Sequence, residues 1–276
     1  MKLSICLVIH NEANVLKRCL ESVKKVADEI IVVHDGSCTD ESLEIAKEFG
    51  AKIFIRPFIG EAEYHRPYSF EKASGEWILQ IDADEFLSEK AKKEIKELIQ
   101  NTSIDAYSFL WPYPDKNGYI TRGPFAKTLK PCLFRKEKMF MVGISHEYPR
   151  TFGRLEKRPD ILLEHQPDYD NFTFKAFREK WMSWADLQAR QIYEIQKAPT
   201  LNIPKEIVRK GFSYYVFMRN HLILSGIGES IRFLLIYLSR GLLWSGKRSI
   251  KITLLELSYL WLVRLNLIKL KYGRRI

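Results

Sequence analysis

The sequence predicts an α/β protein with a mostly parallel central sheet flanked by helices, followed by a C-terminal helical extension. Over roughly the first hundred residues, short apolar runs alternate with amphipathic helical patterns. A fourth apolar run, 77–81, ends abruptly in three carboxylates, Asp82, Asp84 and Glu85. The last third of the chain is apolar but carries regularly placed Lys and Arg. Because open α/β sheets bind ligands at the carboxyl ends of their strands, these acids mark the predicted site.

Local patterns predict the first two strands and the helix between them. Residues 3–9 are almost all apolar and predict a buried strand, and the β-branched run 29–34 predicts a second one. The intervening residues show one apolar helical face with i, i+1, i+4, i+5, i+8 spacing, formed by Val15, Leu16, Cys19, Leu20 and Val23.

A turn and another helix follow the second strand. Thr39 or Asp40 is expected to cap this helix, which should end at Gly50. Residues 52–56 predict a third strand. A loop is then expected to lead to the strand that ends at Asp82.

The later elements are predicted in the same way. Residues 106–111 and 131–135 are expected to be strands, joined by a Pro- and Gly-rich loop long enough to contact a substrate. The aromatic-rich segment 172–196 is expected to be helical, and several helices should follow Pro204. Ser88 is expected to cap a helix whose inner face consists of Ala91, Ile95, Leu98 and Ile99.

Composition limits the classes of protein to consider. The chain has 276 residues, of which 46% are hydrophobic, so a sizeable core is available. Its four cysteines show no CxxC spacing, which predicts reduced thiols in a cytoplasmic protein without a disulfide frame or a zinc site. The apolar segment 3–9 is too short for a signal sequence or a membrane span.

Charge is concentrated at the C-terminal end of the chain. Residues 201–276 hold 14 Lys and Arg against 3 Asp and Glu, whereas residues 1–200 hold 30 against 31. A basic, apolar tail predicts an anionic partner, which would be a membrane surface, a nucleic acid or an acidic substrate.

Two apolar stretches of the tail, 231–244 and 252–268, are interrupted by charged residues. Neither reaches the length of uncharged apolar sequence that a membrane span needs, so no span is predicted. Basic residues beside Trp and Leu favour a helix that lies on an anionic membrane surface, which would make the protein peripheral to the inner face of the membrane. A helical core with solvated Lys and Arg explains the same pattern, and both interpretations remain open.

Strand ends carry the first two groups of candidate site residues. Asp35 can accept a hydrogen bond from a nucleobase or a ribose hydroxyl, and Gly36 allows the backbone to approach a ligand closely. A simple Asx turn explains the triplet Asp35-Gly36-Ser37 equally well. Asp82 and Asp84 are spaced to hold one divalent cation against a diphosphate. The alternative is a strand followed by the solvated, acidic start of a helix.

Two further candidates lie downstream. Glu147, next to His146 after an apolar run, is a reasonable general base, although a surface pair fits the same pattern. His165 follows the apolar residues 161–163 and is either a histidine at a sheet edge or a metal ligand.

Together these motifs resemble glycosyltransferase family 2, whose members have the GT-A fold. The segment 4–12 is similar to the family's first strand and its Asn-Glu turn. The segment 32–40 is similar to the second-strand motif, with His34 in place of the first acid and Cys38 lengthening the turn. The segment 73–85 is similar to the metal motif and the strand before it.

Within the family, the chain looks most like the branch that includes the lipopolysaccharide core β-glucosyltransferases. That branch carries an Arg in the loop before the metal strand, matched here by Arg66, although Pro67 stands where Asn is usual. Its other motifs are matched by 133–135 (Leu-Phe-Arg), by 146–147 (His-Glu) and by His165.

The resemblance implies inverting transfer of a sugar from a nucleotide-diphosphate sugar to an acceptor hydroxyl. A UDP-sugar is the favoured donor, and a glycan or lipid-linked acceptor of the lipopolysaccharide type is the favoured acceptor. On the donor side, Asp35 would bind the base, Glu12 would lie near the nucleoside, and Asp82 would contact the ribose or the donor sugar.

The remaining implied roles concern the diphosphate and the acceptor. Asp84 would ligate Mg²⁺ or Mn²⁺, and His165 would complete the metal shell or contact the diphosphate. Arg66 would neutralise phosphate charge, with His146 also on the donor side. Glu147 would be the general base.

The implied domain organisation follows the motifs. Residues 1–168 would form the GT-A catalytic domain, with 1–100 binding the nucleotide and 101–168 the acceptor. Residues 169–276 would form the basic helical extension.

Proteins of other classes fit less well. A nucleotidyltransferase would show a Gly-rich phosphate loop after its first strand, which residues 10–14 do not resemble. No nucleic-acid partner is expected, because the basic residues are interleaved with long apolar stripes and form no known binding motif. A non-catalytic sugar-nucleotide-binding or membrane-surface scaffold of the same fold remains an alternative, against which the retained Asp82, Asp84 and Glu147 argue.

Overall fold

The computed structural model describes residues 1–116, 118–202 and 205–273. Its strands are β1 (Leu3–Ile9), β2 (Glu29–Asp35), β3 (Lys52–Arg56), β4 (Trp77–Gln80), β5 (Glu85–Leu87), β6 (Ala106–Leu110), β7 (Pro114–Asp115), β8 (Gly118–Tyr119), β9 (Leu129–Arg135), β10 (Met139–Val142), β11 (Arg150–Thr151), β12 (Leu155–His165) and β13 (Thr200–Leu201). Its α-helices are α1 (Ala13–Val23), α2 (Ser42–Glu48), α3 (Ala62–Lys72), α4 (Glu89–Leu98), α5 (Phe174–Ala176), α6 (Met182–Tyr193), α7 (Lys205–Asn220), α8 (Leu222–Ser239) and α9 (Gly246–Tyr272).

The central sheet is mixed but mostly parallel. Within the described residues it has eight strands in the order β3-β2-β1-β4-β9-β6-β12-β5. Strands β1 to β4 run parallel to one another, β9 is antiparallel to both of its neighbours, and β5 is antiparallel to β12. The α/β prediction is therefore confirmed. The carboxyl ends of β1, β2 and β4 lie side by side, which gathers the motifs that follow them.

Alternating side chains of the inner strands build a core on each face of the sheet. In β1, Ile5 and Leu7 pack with α1, whereas Cys6 and Val8 pack on the other face beside Phe70 of α3. This is the period-two pattern of a strand that is buried on both sides. It explains why β1 and β2 read as continuous apolar runs in the sequence.

Residues 62–72 form helix α3, where the sequence analysis expected a loop before β4. That expectation was wrong because the buried face of α3 is largely polar, with His65, Arg66 and Ser69 inside. Apolar periodicity therefore gives no helical signal here. Pro67 lies within the helix, where it cannot donate the hydrogen bond to the carbonyl four residues earlier.

The predicted helix caps are confirmed in part. The Ser88 hydroxyl accepts a hydrogen bond from the Ala91 backbone N–H at 3.3 Å, as expected for the cap of α4. At α2, the Asp40 carboxylate accepts from the backbone N–H of Ser42 at 2.9 Å and from that of Ala13 at 3.0 Å. Asp40 thus ties the start of α2 to the start of α1.

The chain divides into two compact units. The first comprises Met1–Gly118, Lys127–Asp168 and Pro199–Asn202, and it holds the central sheet. The second includes Tyr119–Ala126, Tyr169–Ala198 and the helices from α7 onward. The predicted helical extension is confirmed, although Pro204 and residues 274–276 lie outside the described residues.

Among the described helices, only α8 is long and apolar enough to cross a membrane by length and composition. Its 18 residues have a mean hydropathy of 1.5, and 17% of them are buried. The helix contains Glu229 and Arg232, the latter being one of the interruptions noted in the sequence.

Candidate active site

The acids after β4 lie in a tight turn between two strands. The Glu85 backbone N–H donates to the Asp82 carbonyl at 3.0 Å, and the Asp82 backbone N–H donates to Glu85 Oε2 at 2.9 Å. Glu85 then enters β5, where it is fully buried opposite His165 of β12. The turn therefore leaves Asp82 and Asp84 at the carboxyl end of β4, with Asp82 anchored by Glu85.

Asp82 is held between two cations. Arg66 Nη2 contacts Asp82 Oδ1 at 2.7 Å, and Lys130 Nζ contacts Asp82 Oδ2 at 2.7 Å. Gln80 donates a third hydrogen bond to Oδ1 at 3.0 Å. Burial alone would raise the pKa of Asp82, but the charges of Arg66 and Lys130 outweigh it and hold the pKa well below the ordinary aspartate value. Asp82 is accordingly an anion at neutral pH.

Lys130 is a site residue that the sequence analysis missed. It lies in β9, its side chain is only 2% exposed, and its ammonium bridges Asp82 and Glu85, the latter at 2.6 Å. Burial opposes the charge of Lys130, yet the two carboxylates keep its pKa above the ordinary lysine value. The sequence signal was a lysine in the middle of a buried strand, which is rare unless the charge is paired.

Arg66 is where the resemblance requires a cation, but its partners are within the protein. Besides Asp82, its Nη1 contacts Glu63 Oε1 at 3.3 Å, one turn earlier in α3. The Arg66 side chain is 6% exposed and that of Glu63 is 15% exposed, so this ion pair is largely shielded from water. The predicted contact of Arg66 with a phosphate would require exchange of at least one of these partners.

Asp84 and His165 are brought together, as the proposed metal site requires. His165 Nε2 lies 3.3 Å from Asp84 Oδ2, and the Gln166 backbone N–H donates to the Asp84 carbonyl at 2.9 Å. The imidazole stacks on Trp111, with ring centroids 4.5 Å apart, and Trp111 Nε1 donates to Glu85 at 2.6 Å. The indole thus fixes both the histidine ring and the buried acid.

No group of three or more His, Cys, Asp or Glu side chains that could hold a metal occurs in the part of the chain that the structure describes. A carboxylate and an imidazole are nevertheless suitable ligands for Mn²⁺, and Mg²⁺ commonly takes one or two protein carboxylates together with substrate phosphates. Asp84 and His165 therefore fit a cation whose remaining ligands come from a diphosphate and water.

Asp35 is buried and already bound to the protein itself. Its carboxylate accepts hydrogen bonds from the backbone N–H groups of Ile59 and Gly60, both at 2.7 Å, and contacts His65 Nε2 at 2.9 Å. Burial would raise the pKa of Asp35, but these hydrogen bonds keep it below its ordinary value. A nucleobase contact would replace or share one of these partners, so the predicted base-binding role remains a prediction.

Glu12 lies on the same edge of the sheet. It precedes α1, and its backbone N–H donates to the Ser42 hydroxyl at 2.8 Å. The Cys19 thiol of α1 donates a hydrogen bond to the Asp82 carbonyl at 3.5 Å. Its pKa is raised first by burial and then by the negative charges of four carboxylates, Glu85, Asp84, Asp82 and Glu12.

His146 and Glu147 lie in the turn after β10. His146 adopts a positive φ of 62°, which is strained for a residue with a side chain. Glu147 Oε2 accepts from Arg150 Nη2 at 2.6 Å, and the Glu147 side chain is 22% exposed. A Cβ on Gly143, just before this turn, would lie 2.9 Å from the Glu63 carbonyl oxygen, so the segment that leads to His146 packs against α3.

A second acidic pair, Glu61 and Glu63, was not foreseen either. Burial and the neighbouring Glu63 raise the pKa of Glu61 to about 9, so Glu61 holds a proton at neutral pH. Burial opposes ionisation of Glu63 as well, but Arg66 lowers its pKa below the ordinary glutamate value. No apolar periodicity marks α3 or the residue before it, so no local pattern places these two acids beside the site.

A sequence profile described as Glycosyl transferase family 2 matches residues 4–181, which is well over half of the chain. The chain belongs to glycosyl transferase family 2. The family prediction is thereby confirmed, and all of the candidate site residues described above lie within the matched region. The match ends in the π-helical turn Phe177–Trp181, before α6.

Curated family relatives match only part of the chain. An uncharacterized glycosyltransferase of Rickettsia bellii is 39% identical over 108 residues, which is 38% of this chain and 35% of the relative. The SPbeta prophage-derived glycosyltransferase SunS of Bacillus subtilis is 35% identical over 155 residues, which is 53% of this chain and 36% of SunS. The matched part thus spans about a third of the length of these relatives.

Solved structures confirm the fold over the whole chain. The Staphylococcus aureus TarS fragment 1–349, solved in complex with UDP-GlcNAc, superimposes with a TM-score of 0.51 at 13% identity. The likeness covers 99% of this chain and 93% of the TarS fragment. The predicted GT-A architecture with C-terminal helices is therefore confirmed.

Proposed function

We propose that this protein is an inverting glycosyltransferase that moves a sugar from a nucleotide-diphosphate sugar to an acceptor hydroxyl. The observation that carries the proposal is the meeting of Asp84 and His165 beside the Arg66–Asp82–Lys130 cluster, in a member of glycosyl transferase family 2. A diphosphate leaving group needs positive charge around it, which Arg66 and a divalent cation held by Asp84 and His165 would supply.

Asp84 and His165 would hold Mg²⁺ or Mn²⁺, which would stabilise charge on the departing diphosphate. Arg66 would turn part of its fork from Asp82 and Glu63 to a phosphate oxygen. Lys130, enclosed behind Asp82, would keep that carboxylate ionised and fixed for contact with the ribose or the donor sugar.

Asp35 would contact the base and Glu12 the nucleoside, with His146 on the donor side of the site. Glu147 would take the proton of the acceptor hydroxyl while the hydroxyl oxygen bonds to the anomeric carbon. The bond from that carbon to the diphosphate breaks on the opposite face, and its electron pair leaves with the diphosphate. Inversion of configuration follows from this geometry of attack.

The finer assignments form part of the same proposal. Residues 1–168 would be the catalytic domain, with the donor bound by 1–100 and the acceptor by 101–168. The acceptor would be a glycan or a lipid-linked glycan, as in the branch that includes the lipopolysaccharide core β-glucosyltransferases. The protein would act in the cytoplasm, peripheral to the inner face of the membrane, with the basic helices on the anionic surface.

A nucleotide-release assay with a panel of sugar nucleotides, with and without Mn²⁺, tests the proposal. UDP-GlcNAc is the first donor to try, because TarS was solved with it. We expect release to need a divalent cation and to stop when the cation is chelated. Absence of release with every donor and acceptor would favour a non-catalytic scaffold of the same fold.

Substitutions separate the two central roles. We expect Asp84→Asn and Glu147→Gln each to lower turnover about a hundredfold or more, since one removes a metal ligand and the other the proton acceptor. Glu48→Gln, which removes an exposed carboxylate at the end of α2, is the matched control and should retain turnover. Turnover like that of the wild type in either site variant would remove that residue from its role.

A further inference from the structure

Helix α8 has its polar and apolar faces the opposite way round from a helix on a water-soluble protein. Such a helix normally turns its apolar stripe toward the core and its polar face toward water. In α8, the residues turned toward the neighbouring helix α9 are largely polar. Seven apolar residues turned away from α9 are between 36% and 64% exposed and form one stripe: Ile223, Leu224, Ile227, Ile231, Leu234, Leu235 and Leu238. Exposed Arg232 and Ile236 lie outside this stripe.

The inner face of α8 is joined to α9 by a ladder of polar contacts. Glu229 accepts from Arg264 Nη2 at 2.6 Å, and the Ser230 hydroxyl accepts from Trp261 Nε1 at 3.1 Å. About two turns further along α8, the Tyr237 hydroxyl contacts the Glu256 carboxylate at 2.9 Å. Arg264 is 2% exposed, so the ion pair is enclosed. These contacts fix the rotation of α8 and thereby fix which face points outward.

Close packing supports the same orientation. A Cβ placed on Gly226 would lie 2.8 Å from Arg264 Cδ and 2.8 Å from the Trp261 ring, so the backbone of α8 approaches α9 as closely as glycine allows. Successive residues of the outward stripe are one, three or four positions apart, and this spacing places all seven side chains on one side of the helix. It is therefore one continuous apolar surface and not a scatter of exposed residues.

The surroundings of the stripe favour lipid as its partner. At the end of α8, a short 3₁₀ turn (Leu242–Trp244) exposes Leu243 by 65% and Trp244 by 76%. Exposed Arg240 and Lys247 flank this turn. Trp with Lys or Arg at the end of an apolar surface is typical of a membrane interface, where the indole lies at the headgroups and the cations meet anionic lipid.

We infer that α8 inserts its outer stripe into the hydrocarbon edge of one membrane leaflet and lies parallel to the membrane plane. Its 18 residues span about 27 Å, and its inner face is already bound to α9, so the helix is positioned to lie in the interface with one side buried. Trp244 then lies at headgroup level. The proposed function already names a membrane as partner, and α8 would be the element that enters it. Only the reason why the enzyme needs a membrane rests on the proposed function.

Insertion predicts binding that survives salt, because burial of apolar surface is not screened by ions. The test is flotation of the full-length protein with vesicles of pure phosphatidylcholine and with vesicles that contain phosphatidylglycerol, each at low and high salt. We expect binding to both, with the anionic lipid strengthening it at low salt only. Brominated phosphatidylcholine should quench indole emission, and Trp244→Phe should remove most of that quenching.

The variant Leu235→Glu places a carboxylate in the middle of the stripe and should reduce vesicle binding tenfold or more at every salt concentration. Thr102→Glu adds the same charge at an exposed site in the first unit and should bind like the wild type. Leu235 is 62% exposed, so its replacement should leave the thermal unfolding curve unchanged.

Three outcomes would overturn the inference. Binding only to anionic vesicles at low salt would show surface attraction without insertion. Equal binding by Leu235→Glu and the wild type would exclude the stripe. Concentration-dependent self-association without vesicle binding, measured by sedimentation velocity, would assign the stripe to a second copy of the chain. Nucleotide release toward a soluble acceptor is measured alongside, so a failure of insertion remains distinct from a failure of the proposed catalysis.

Discussion

Replacing Lys130 by Met should reveal how much the candidate site depends on one enclosed cation. The Lys130 ammonium lies 2.7 Å from Asp82 and 2.6 Å from Glu85, and the Glu85 side chain has no exposed surface. Met has a similar length and apolar volume but no charge. The variant therefore removes the cation and leaves two neighbouring carboxylates, of which only Asp82 keeps a second cation, Arg66.

The size of the effect follows from these distances. At an effective dielectric constant of 20, two unit charges at such a distance attract by about 6 kcal/mol. Most of that attraction is offset in the wild type by the cost of removing the ions from water, but the variant keeps the buried carboxylates without their partner. We expect Lys130→Met to lower the free energy of unfolding by about 3–5 kcal/mol.

The pH dependence gives a second measure of the same change. Burial already raises the pKa of Glu85, and loss of the lysine charge should raise it further. The folded variant then holds a proton that the unfolded chain releases, so its stability should fall as pH rises above the ordinary glutamate pKa. The loss relative to the wild type should accordingly be larger at pH 8 than at pH 5.

Urea unfolding followed by circular dichroism measures both effects. Lys92→Met is the matched control, because Lys92 pairs with the largely exposed Glu89 at 2.7 Å and should contribute little. Adding Glu85→Gln to Lys130→Met removes the unpaired acid and should restore part of the lost stability. If Lys130→Met were no more destabilising than Lys92→Met, or if the double variant gained nothing, the enclosed ion pair would not be what holds the turn.

Two further predictions concern buried acids elsewhere in the first unit. Burial would raise the pKa of Glu29, but hydrogen bonds from Lys52, Ser4 and Ser74 lower it to about 2. The ionised Glu29 should therefore stabilise the fold fully above the pKa of glutamate in the unfolded chain, and this stabilisation should be lost as pH falls from about 4.5 to 2. Glu29→Gln should therefore lower the urea midpoint at pH 7 far more than at pH 3, and an equal loss at both would contradict this. The pKa of Glu61 is shifted in the opposite direction, because burial and Glu63 raise it to about 9. The stability of the protein should therefore fall as pH rises from about 4.5 to 9. Glu61→Gln should flatten that fall, with a melting temperature that exceeds the wild type by roughly 2–4 °C at pH 9; parallel curves of melting temperature against pH would refute it.

Much of the sheet could be predicted from the sequence because its strands carry their own signal. β1, β2 and β3 are short apolar or β-branched runs, and the caps at Ser88 and Asp40 use residues next to the helices they begin. Such patterns depend on neighbours within a few positions, so one sequence suffices to read them.

The helix α3 and the partners within the site could not be predicted in this way. His65 is buried because it reaches Asp35, and Lys130 is buried because it reaches Asp82 and Glu85, which lie 48 and 45 positions earlier in the chain. A polar residue gives the same local signal on a solvated surface and in a buried ion pair. Only the tertiary structure shows whether an oppositely charged side chain lies within contact distance of the polar residue.

The sequence by itself determined that the chain is an α/β protein of this family, and that its C-terminal segment is basic and apolar. The tertiary structure decided which side of α8 meets α9 and which side is exposed among the described residues. Composition cannot distinguish the two, because the same leucines serve equally in a core and at a membrane. The ion pair between Glu229 and Arg264 directs the polar face of α8 toward α9. The apolar face lies on the opposite side of the helix and is therefore exposed.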